Sequence, residues 1–310
     1  MLLLCSISGY AQNSNRDFSI VDKYVQSVGS LDSVNMGTIS NIVTKKFPDN
    51  LDKVRAIFDW IAYNISFDCK LYRSSGNEKM VTDDVLKKRK ANANGYAALF
   101  QDMCSVAKIR CLTVDGYVKR NTESINEKPD ELNHTWVVVQ LGETTDPWNY
   151  IDPAWGSGYT DEQMTVFTRQ YNDDYFFADK LIFNYQHFPD NGAWLFGPAI
   201  KNQKDFFSLP LVLDDAYVFG LTNFLPADGY VKSKSRTPVR FSIKIKSGPP
   251  VEIVSVVTGK GKKKLAKTVD HTLQNGVISF SYKFTEEDIY PVFVLINNKP
   301  VLGYVMETTE

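Results

Sequence analysis

The chain has 310 residues, which is long for one hydrophobic core, so we expect two domains. Its 35 Lys and Arg nearly balance its 36 Asp and Glu, which excludes a general electrostatic attraction to nucleic acid or to anionic membranes. With 43% hydrophobic and 23% charged residues, the composition also excludes a chain that is disordered over most of its length.

The first twelve residues resemble the end of a secretory signal peptide. A short apolar run leads to Gly9 and Ala11, small residues of the kind that a signal peptidase recognises. No basic segment precedes this run, so a longer signal could lie upstream, and a frayed apolar terminus is the alternative. We expect residues 1–12 to be a signal-peptide remnant and the chain to be exported, as a periplasmic, cell-surface or secreted protein. No other segment is long and apolar enough to span a bilayer, so an integral membrane segment is not expected.

The following part of the chain predicts short helices. Between residues 13 and 47, apolar side chains recur at helical spacing. Pro48 and Asp49 then offer the start of a longer helix. Residues 71–80 are polar and predict a loop.

A helix followed by strands is predicted next. Apolar spacing from Asn94 onward is typical of a buried helix, and strands are predicted at residues 111–118, 134–141 and 147–152. Helices that precede an antiparallel sheet indicate the α+β class.

The sequence pattern changes from helical spacing to strand-like runs after about residue 204. Strand-like runs separated by Gly, Pro, Asn and Asp occur at residues 209–213, 216–221, 239–246, 251–257, 277–284, 291–296 and 301–306. This pattern is typical of an all-β, immunoglobulin-like sandwich. We therefore predict a first domain at residues 13–204 and a β-sandwich domain at residues 205–310.

His134 and Asp152 are the residues whose positions suggest chemistry. Thiol catalysis needs a nucleophile at a helix N-terminus, an imidazole that takes its proton and a carboxylate or amide that orients the imidazole. His134 opens one predicted strand and Asp152 closes the next, so antiparallel pairing would place both at the same end of the sheet. The alternative is that His134 donates to a backbone carbonyl while Asp152 caps the turn before Pro153.

The stretch from about residue 52 to 195 resembles the transglutaminase-like superfamily, and within it the group related to kyphoscoliosis peptidase and to fungal cytokinesis transglutaminase-like proteins. The resemblance is carried by AIFDWIAYNI at residues 56–65, RKANANGYA at 89–97, HTW at 134–136 and YIDPAW at 150–155. It implies a papain-like core of helices plus antiparallel sheet. It also implies that the nucleophile position, His134 and Asp152 form the family's catalytic set.

The chain departs from the family at the nucleophile, because Ala93 stands where the family has cysteine. A methyl group cannot attack a carbonyl, so covalent catalysis by the family mechanism is unavailable. Ala93 is either natural, which would make the protein a pseudoenzyme, or an introduced Cys→Ala substitution. Its neighbours Asn92 and Asn94 differ from the family's usual pair, which favours a natural loss.

The other cysteines and histidines are expected to be structural. Cys104 follows position 93 by about 16 Å along a helix, at roughly 1.5 Å per residue, so it cannot replace the missing thiol. Cys104 and Cys111 are interpreted as small buried residues, whereas Cys69 is less certain. His187 is interpreted as a hydrogen-bonded structural histidine. The three histidines lack ligand spacing, so neither a metal nor another cofactor is expected.

Three functional hypotheses follow. The first is a catalytically inactive, exported module that binds a protein or peptide, with no nucleic-acid partner. The second, which is the alternative to the first, is that the natural protein is an active cysteine peptidase or protein-glutamine acyltransferase and that its cysteine has been replaced by alanine in this sequence. The third is that the C-terminal sandwich docks another protein and the first domain is a scaffold. The sequence does not predict the oligomeric state.

Overall fold

The computed structural model describes residues 16–198, 200–259 and 265–310. The predicted signal-peptide remnant at residues 1–12 lies outside this part of the chain. Helices α1 to α9 span Ser19–Val28, Met36–Thr44, Asn50–Asn64, Cys69–Ser75, Thr82–Lys88, Ala93–Val106, Lys180–Gln186, Gln203–Ser208 and Asp215–Phe219. Strands β1 to β8 span Ser66–Phe67, Lys90–Ala91, Arg110–Val118, His134–Gln140, Asn149–Ile151, Gly158–Thr160, Phe167–Arg169 and His187–Pro189. Strands β9 to β18 span Leu211–Val212, Leu221–Leu225, Tyr230–Lys234, Pro238–Ile245, Val254–Thr258, Leu265–Val269, His271–Gln274, Val277–Lys283, Ile289–Ile296 and Lys299–Thr309.

Side-chain caps start the two long helices of the first half, α3 and α6. Asp49 accepts the backbone N–H groups of Leu51 at 2.8 Å and Asp52 at 3.3 Å, which confirms the helix start predicted there. Asn92 caps α6 by accepting the N–H of Gly95 at 3.0 Å. These caps satisfy N–H groups that have no partner within the helix, and the one at Asn92 fixes Ala93 as the first residue of α6.

The sheet of the first half has the order β5-β4-β3-β8, with antiparallel neighbours throughout. The predicted strands at 134–141 and 147–152 are confirmed as β4 and β5. Side chains of β4 alternate between two cores. Val137 and Val139 pack in the cluster that contains α6, whereas Trp136 and Val138 pack in the cluster that contains Tyr150.

The second half consists mainly of two sheets, which confirms the predicted β-sandwich. One has the order β10-β12-β16-β15, and the other has the order β11-β18-β17-β13-β14 with β9 also paired to β18. The sheets share a core, in which the rings of Phe241 and Tyr304 lie 5.5 Å apart. Pairing is antiparallel except between β11 and β18, which run parallel. The chain as a whole is therefore of the α+β class.

Two sequence predictions were wrong. The run at 216–221 is not a strand, because Asp215–Phe219 forms the short helix α9. Gly220 ends this helix with a φ of 54°, a left-handed conformation that glycine adopts without strain, and β10 begins at the next residue. The predicted loop at 71–80 is half helical, since α4 extends to Ser75. There, Asp68 accepts the N–H of Leu71 and starts the helix.

Lys119 ties the first sheet to the segment that enters the sandwich. Its buried Nζ donates to the carbonyl oxygens of Phe206, Leu209 and Pro210 at 2.8, 2.9 and 3.1 Å. Burial lowers the pKa of Lys119 well below its usual range, while three acceptors match the three donors of an ammonium group. The domain boundary near residue 205 stays a prediction. Among the described residues, none of the helices is long and apolar enough to cross a membrane.

Candidate active site

The structure brings His134 and Asp152 together in the interior. His134 is the first residue of β4, and Asp152 directly follows β5, so antiparallel pairing places both at one end of the sheet. His134 Nε2 lies 2.6 Å from Asp152 Oδ2, which is the distance of a short charge-assisted hydrogen bond. The two residues are 1% and 0% exposed. This is the imidazole–carboxylate arrangement that orients a general base in thiol and serine enzymes.

Asp152 is held by four donors. Its Oδ1 accepts the backbone N–H groups of Ala154 at 2.9 Å and Trp155 at 3.0 Å. Its Oδ2 is shared by His134 and by His187, whose Nε2 lies 3.1 Å away. Burial alone would raise the pKa of Asp152, but the charge and hydrogen bond of His134 and the hydrogen bond of His187 hold it below its usual range. Asp152 is therefore a carboxylate at neutral pH.

Sequence reasoning missed the place of His187 beside Asp152. His187 begins β8, which pairs with the far edge of β3, so it reaches the site from a distant part of the chain. Burial lowers the pKa of His187 to about 4, although the hydrogen bond that His187 donates to Asp152 opposes this shift. His187 is thus neutral at pH 7. Its one signal in the sequence is a position within an aromatic run, which indicates burial but no partner.

Ala93 is the first residue of α6 and is fully buried. The first backbone N–H groups of a helix favour negative charge, so a thiol at this position would be stabilised as thiolate. A methyl group uses none of this stabilisation.

A segment that we call the strap, residues 72–80, covers the start of α6 and the start of β4. Asn77 lies at its centre. Its Oδ1 accepts the backbone N–H of Asn94 at 3.0 Å, and its Nδ2 donates to Thr135 Oγ1 at 2.7 Å. One carboxamide therefore bridges the residue after Ala93 and the residue after His134.

The strap also binds the residues that precede these two positions. Asn92 Nδ2 donates to the carbonyl oxygen of Glu78 at 2.7 Å, and Tyr72 Oη donates to that of Asn133 at 3.2 Å. Arg120 donates to both Tyr72 Oη and the Asn133 carbonyl, at 2.9 and 2.8 Å. Because the strap holds both neighbours of Ala93 and both neighbours of His134, its removal would be needed to uncover the ends of these elements.

His134 Nδ1 is buried and has no hydrogen-bond partner among the described residues. With Nε2 donating to Asp152, Nδ1 is the ring atom left to accept a proton. It is therefore the atom that would act as base in a thiol enzyme. A buried polar atom without a partner is costly and uncommon, and such atoms mark sites where a group has been lost or is still to bind.

The atoms of His134, Asp152 and His187 that could bind a metal lie within 4.8 Å of one another. Zn²⁺ binds nitrogen and carboxylate oxygen at about 2.0–2.2 Å in a tetrahedral arrangement, which separates neighbouring ligand atoms by more than 3 Å. The 2.6 Å between His134 Nε2 and Asp152 Oδ2 is too short for that arrangement. Both histidines also form hydrogen bonds with the same carboxylate oxygen, Asp152 Oδ2. These distances fit hydrogen bonds and do not fit a metal site.

The cysteines of the described residues, Cys69, Cys104 and Cys111, are buried and not paired in disulfides. The predicted burial of Cys104 and Cys111 is confirmed. Burial raises the pKa of Cys69 and of Cys104, which favours the thiol over the reactive thiolate. Cys69 begins α4, a short helix next to the strap, yet it lacks the lowered pKa of a nucleophile.

Comparisons with known proteins agree with this geometry. Residues 38–153, which include Ala93, His134 and Asp152, match the model of the transglutaminase-like superfamily. Mouse kyphoscoliosis peptidase is 27% identical over 285 residues that cover 82% of this chain, and the human protein is 26% identical over 277 residues that cover 89%. Hillarin of Drosophila melanogaster is 22% identical over 221 residues, 66% of this chain. The matched regions span only 42%, 39% and 26% of the lengths of these relatives.

Proposed function

We propose that this chain, whose residues 38–153 match the model of the transglutaminase-like superfamily, is a catalytically inactive member that binds a protein or peptide without cleaving it. The carrying observation is the unpartnered His134 Nδ1 in an otherwise complete His134–Asp152 pair. The His134–Asp152 hydrogen bond supports a base with its orienting carboxylate, and in this proposal Ala93, the first residue of α6, occupies the position of the nucleophile. Export of the chain stays a prediction from its first twelve residues.

The contacts of Asn77 support a peptide as the ligand. Its carboxamide accepts one hydrogen bond from a helix N-terminal N–H, on Asn94, and donates another to Thr135. A peptide bond presents the same carbonyl acceptor and N–H donor. Groups that hold a side-chain amide of this chain would hold an amide of a bound peptide once the strap moves.

The relatives point to the same class of ligand. The mouse and human relatives are named peptidases, and a peptidase binds extended peptide across its nucleophile. A chain that keeps such a site without its nucleophile would retain binding and lose cleavage, because binding contacts and covalent chemistry reside in different groups.

We expect unstructured peptides, with and without glutamine, to raise the melting temperature of the protein and to be recovered intact afterwards. Calorimetry measures the affinity and mass spectrometry of the peptide tests for cleavage. Thr135→Val keeps the shape of the side chain but removes the hydroxyl that accepts from Asn77 and donates to Asp115. It frees the strap as Asn77→Leu does but also removes an acceptor for the peptide, so it should bind peptide more weakly than Asn77→Leu. Thr272→Val, on an exposed strand of the sandwich, is the matched control. Cleavage of the peptide by the unaltered chain would contradict the proposed inactivity.

The strap makes a separate prediction. Asn77→Leu removes two hydrogen bonds, each of which contributes about 0.5–1.5 kcal/mol, so the strap should open roughly tenfold or more often. Because the open fraction limits the apparent affinity, peptide should bind more tightly by a similar factor. Amide hydrogen exchange at Asn94 should accelerate as well. Lys79→Leu, an exposed neighbour in the same segment, is the control. Unchanged exchange at Asn94 would show that the strap does not cover the start of α6.

A further inference from the structure

We propose that His187 is a positioning residue for the His134–Asp152 pair: it donates a hydrogen bond to Asp152 and so sets how strongly that carboxylate holds His134. The inference goes beyond the proposed function and does not depend on Ala93 or on peptide binding. It rests on the distances among these three side chains.

His187 is held in one orientation by packing. Its ring is fully buried and stacks on Phe183 with centroids 3.8 Å apart and planes within 6°. Trp155 and Trp136 contact it from other directions, with centroids 4.6 and 5.2 Å away. A ring enclosed on several sides cannot turn freely, so its Nε2 stays directed at Asp152.

The carboxylate of Asp152 has no acceptor capacity left. A carboxylate offers about four lone-pair positions, and Asp152 receives two backbone N–H groups on Oδ1 and two imidazoles on Oδ2. If His187 were absent, one of these positions would lose its donor inside a closed core. The carboxylate would then carry more negative charge toward His134.

The protonation state of His187 determines whether it gives Asp152 a hydrogen bond alone or a positive charge as well. Since it is neutral at pH 7, its ring carries a single proton. Its two nearest acceptors are the Asp152 carboxylate at 3.1 Å and the Phe183 carbonyl at 3.3 Å. The shorter contact is to the charged oxygen, so the proton belongs on Nε2. His187 therefore weakens the basicity of Asp152 through a hydrogen bond and adds no charge to the site.

The competing explanation is that His187 only fills space in the core. Two substitutions to amide side chains distinguish this packing role from the proposed hydrogen bond. In His187→Gln the amide nitrogen reaches the place of Nε2 and can still donate to Asp152. In His187→Asn the amide nitrogen reaches only the place of Nδ1, near the Phe183 carbonyl, so the bond to Asp152 is lost. Both variants are polar and smaller than histidine, so any general cost of altered packing is similar.

The test is the Nε2–H proton resonance of His134 in ¹⁵N-labelled full-length protein, with near-UV circular dichroism to confirm folding. We expect the His134 Nε2–H proton to have the same chemical shift in the parent and in His187→Gln. We expect His187→Asn to move it downfield, because a carboxylate with one donor fewer forms a stronger hydrogen bond with His134. His187→Phe, which fills the stacked position without a donor, should move it in the same direction. The same resonance in all folded variants would overturn the proposal and leave His187 as a packing residue.

Discussion

Ala93→Cys is expected to give a thiol that iodoacetamide alkylates faster at neutral pH than any native cysteine of the described residues. Two features act on that position. The N-terminus of α6 favours the thiolate, and under the proposed function the unpartnered His134 Nδ1 accepts the thiol proton to form an ion pair. Cysteines in such surroundings have a pKa of about 3.5–7.5, compared with about 8.5 for a free thiol. Peptide mapping of the alkylated protein identifies which cysteine has reacted.

Activity should accompany that thiol. Where a member of a catalytic set is absent, the remaining groups give only roughly 10³–10⁴-fold acceleration over water, so its restoration is expected to raise peptide hydrolysis or acyl transfer by orders of magnitude. Assays with a peptide amide and with a primary amine acceptor distinguish the two reactions. Opening of the strap limits both, so Ala93→Cys combined with Asn77→Leu should be faster than Ala93→Cys alone.

Two controls define this result. Ala93→Ser adds a polar group of similar size that has no comparable acidity, and it should remain nearly inactive. Asp152→Asn in the Ala93→Cys protein should abolish most of the gain, because His134 would lose the carboxylate that fixes its tautomer. A thiol at position 93 that reacts no faster than Cys69 would show that residue 93 does not face His134, and the inactive-enzyme proposal would fall with it.

The contrast between His134 and His187 shows what a sequence can predict about this site. His134 and Asp152 lie on consecutive strands, so one assumption of antiparallel pairing was enough to bring them together. His187 lies beside Asp152 because β8 pairs with β3, and that pairing depends on the order of all the strands in the sheet. Periodicity along one segment carries no information about such a distant partner.

The strap was hidden for a different reason. Its polar residues predicted an exposed loop, since polar side chains usually face water. Asn77 and Tyr72 instead use their polar groups to satisfy backbone and side-chain atoms around α6 and β4. Composition identifies a polar side chain but does not identify its partner, so a buried polar contact resembles a solvated one. The short helix α9 in the predicted strand at 216–221 is a similar case, because Gly220 in the left-handed conformation ends it locally.

A buried cation, Arg55, contacts the turn that hydrogen-bonds to the backbone of Asp152. Arg55 is 4% exposed in its side chain, and its Nε lies 3.0 Å from Asp22 and 3.1 Å from the fully buried Asp59. Its Nη2 contacts Asp173 at 3.3 Å, at the start of the turn whose Tyr175 carbonyl accepts the N–H of Asp152. Burial raises the pKa of Asp59 to about 8 against the lowering effect of Arg55. Burial thus favours the protonated form of Asp59, and the neighbouring Arg55 partly offsets that effect.

Arg55→Met is expected to destabilise the protein by about 3–5 kcal/mol, because at similar side-chain volume it removes the buried guanidinium that contacts the carboxyl groups of both Asp22 and Asp59. Urea unfolding gives the free energy directly. Arg16→Met, which removes a partly exposed ion pair with Asp52, should cost no more than about 1 kcal/mol. A raised pKa means that the folded state binds a proton which the unfolded state releases, so both proteins lose stability as pH rises from the ordinary carboxyl pKa of 3.8 to about 8. Without the lowering effect of Arg55, the Arg55→Met protein should go on losing stability above pH 8, where the parent levels off. Equal costs for the two arginines, or a cost that does not grow above pH 8, would mean that Asp59 is stabilised by other groups, such as the hydroxyl of Tyr171 at 2.5 Å.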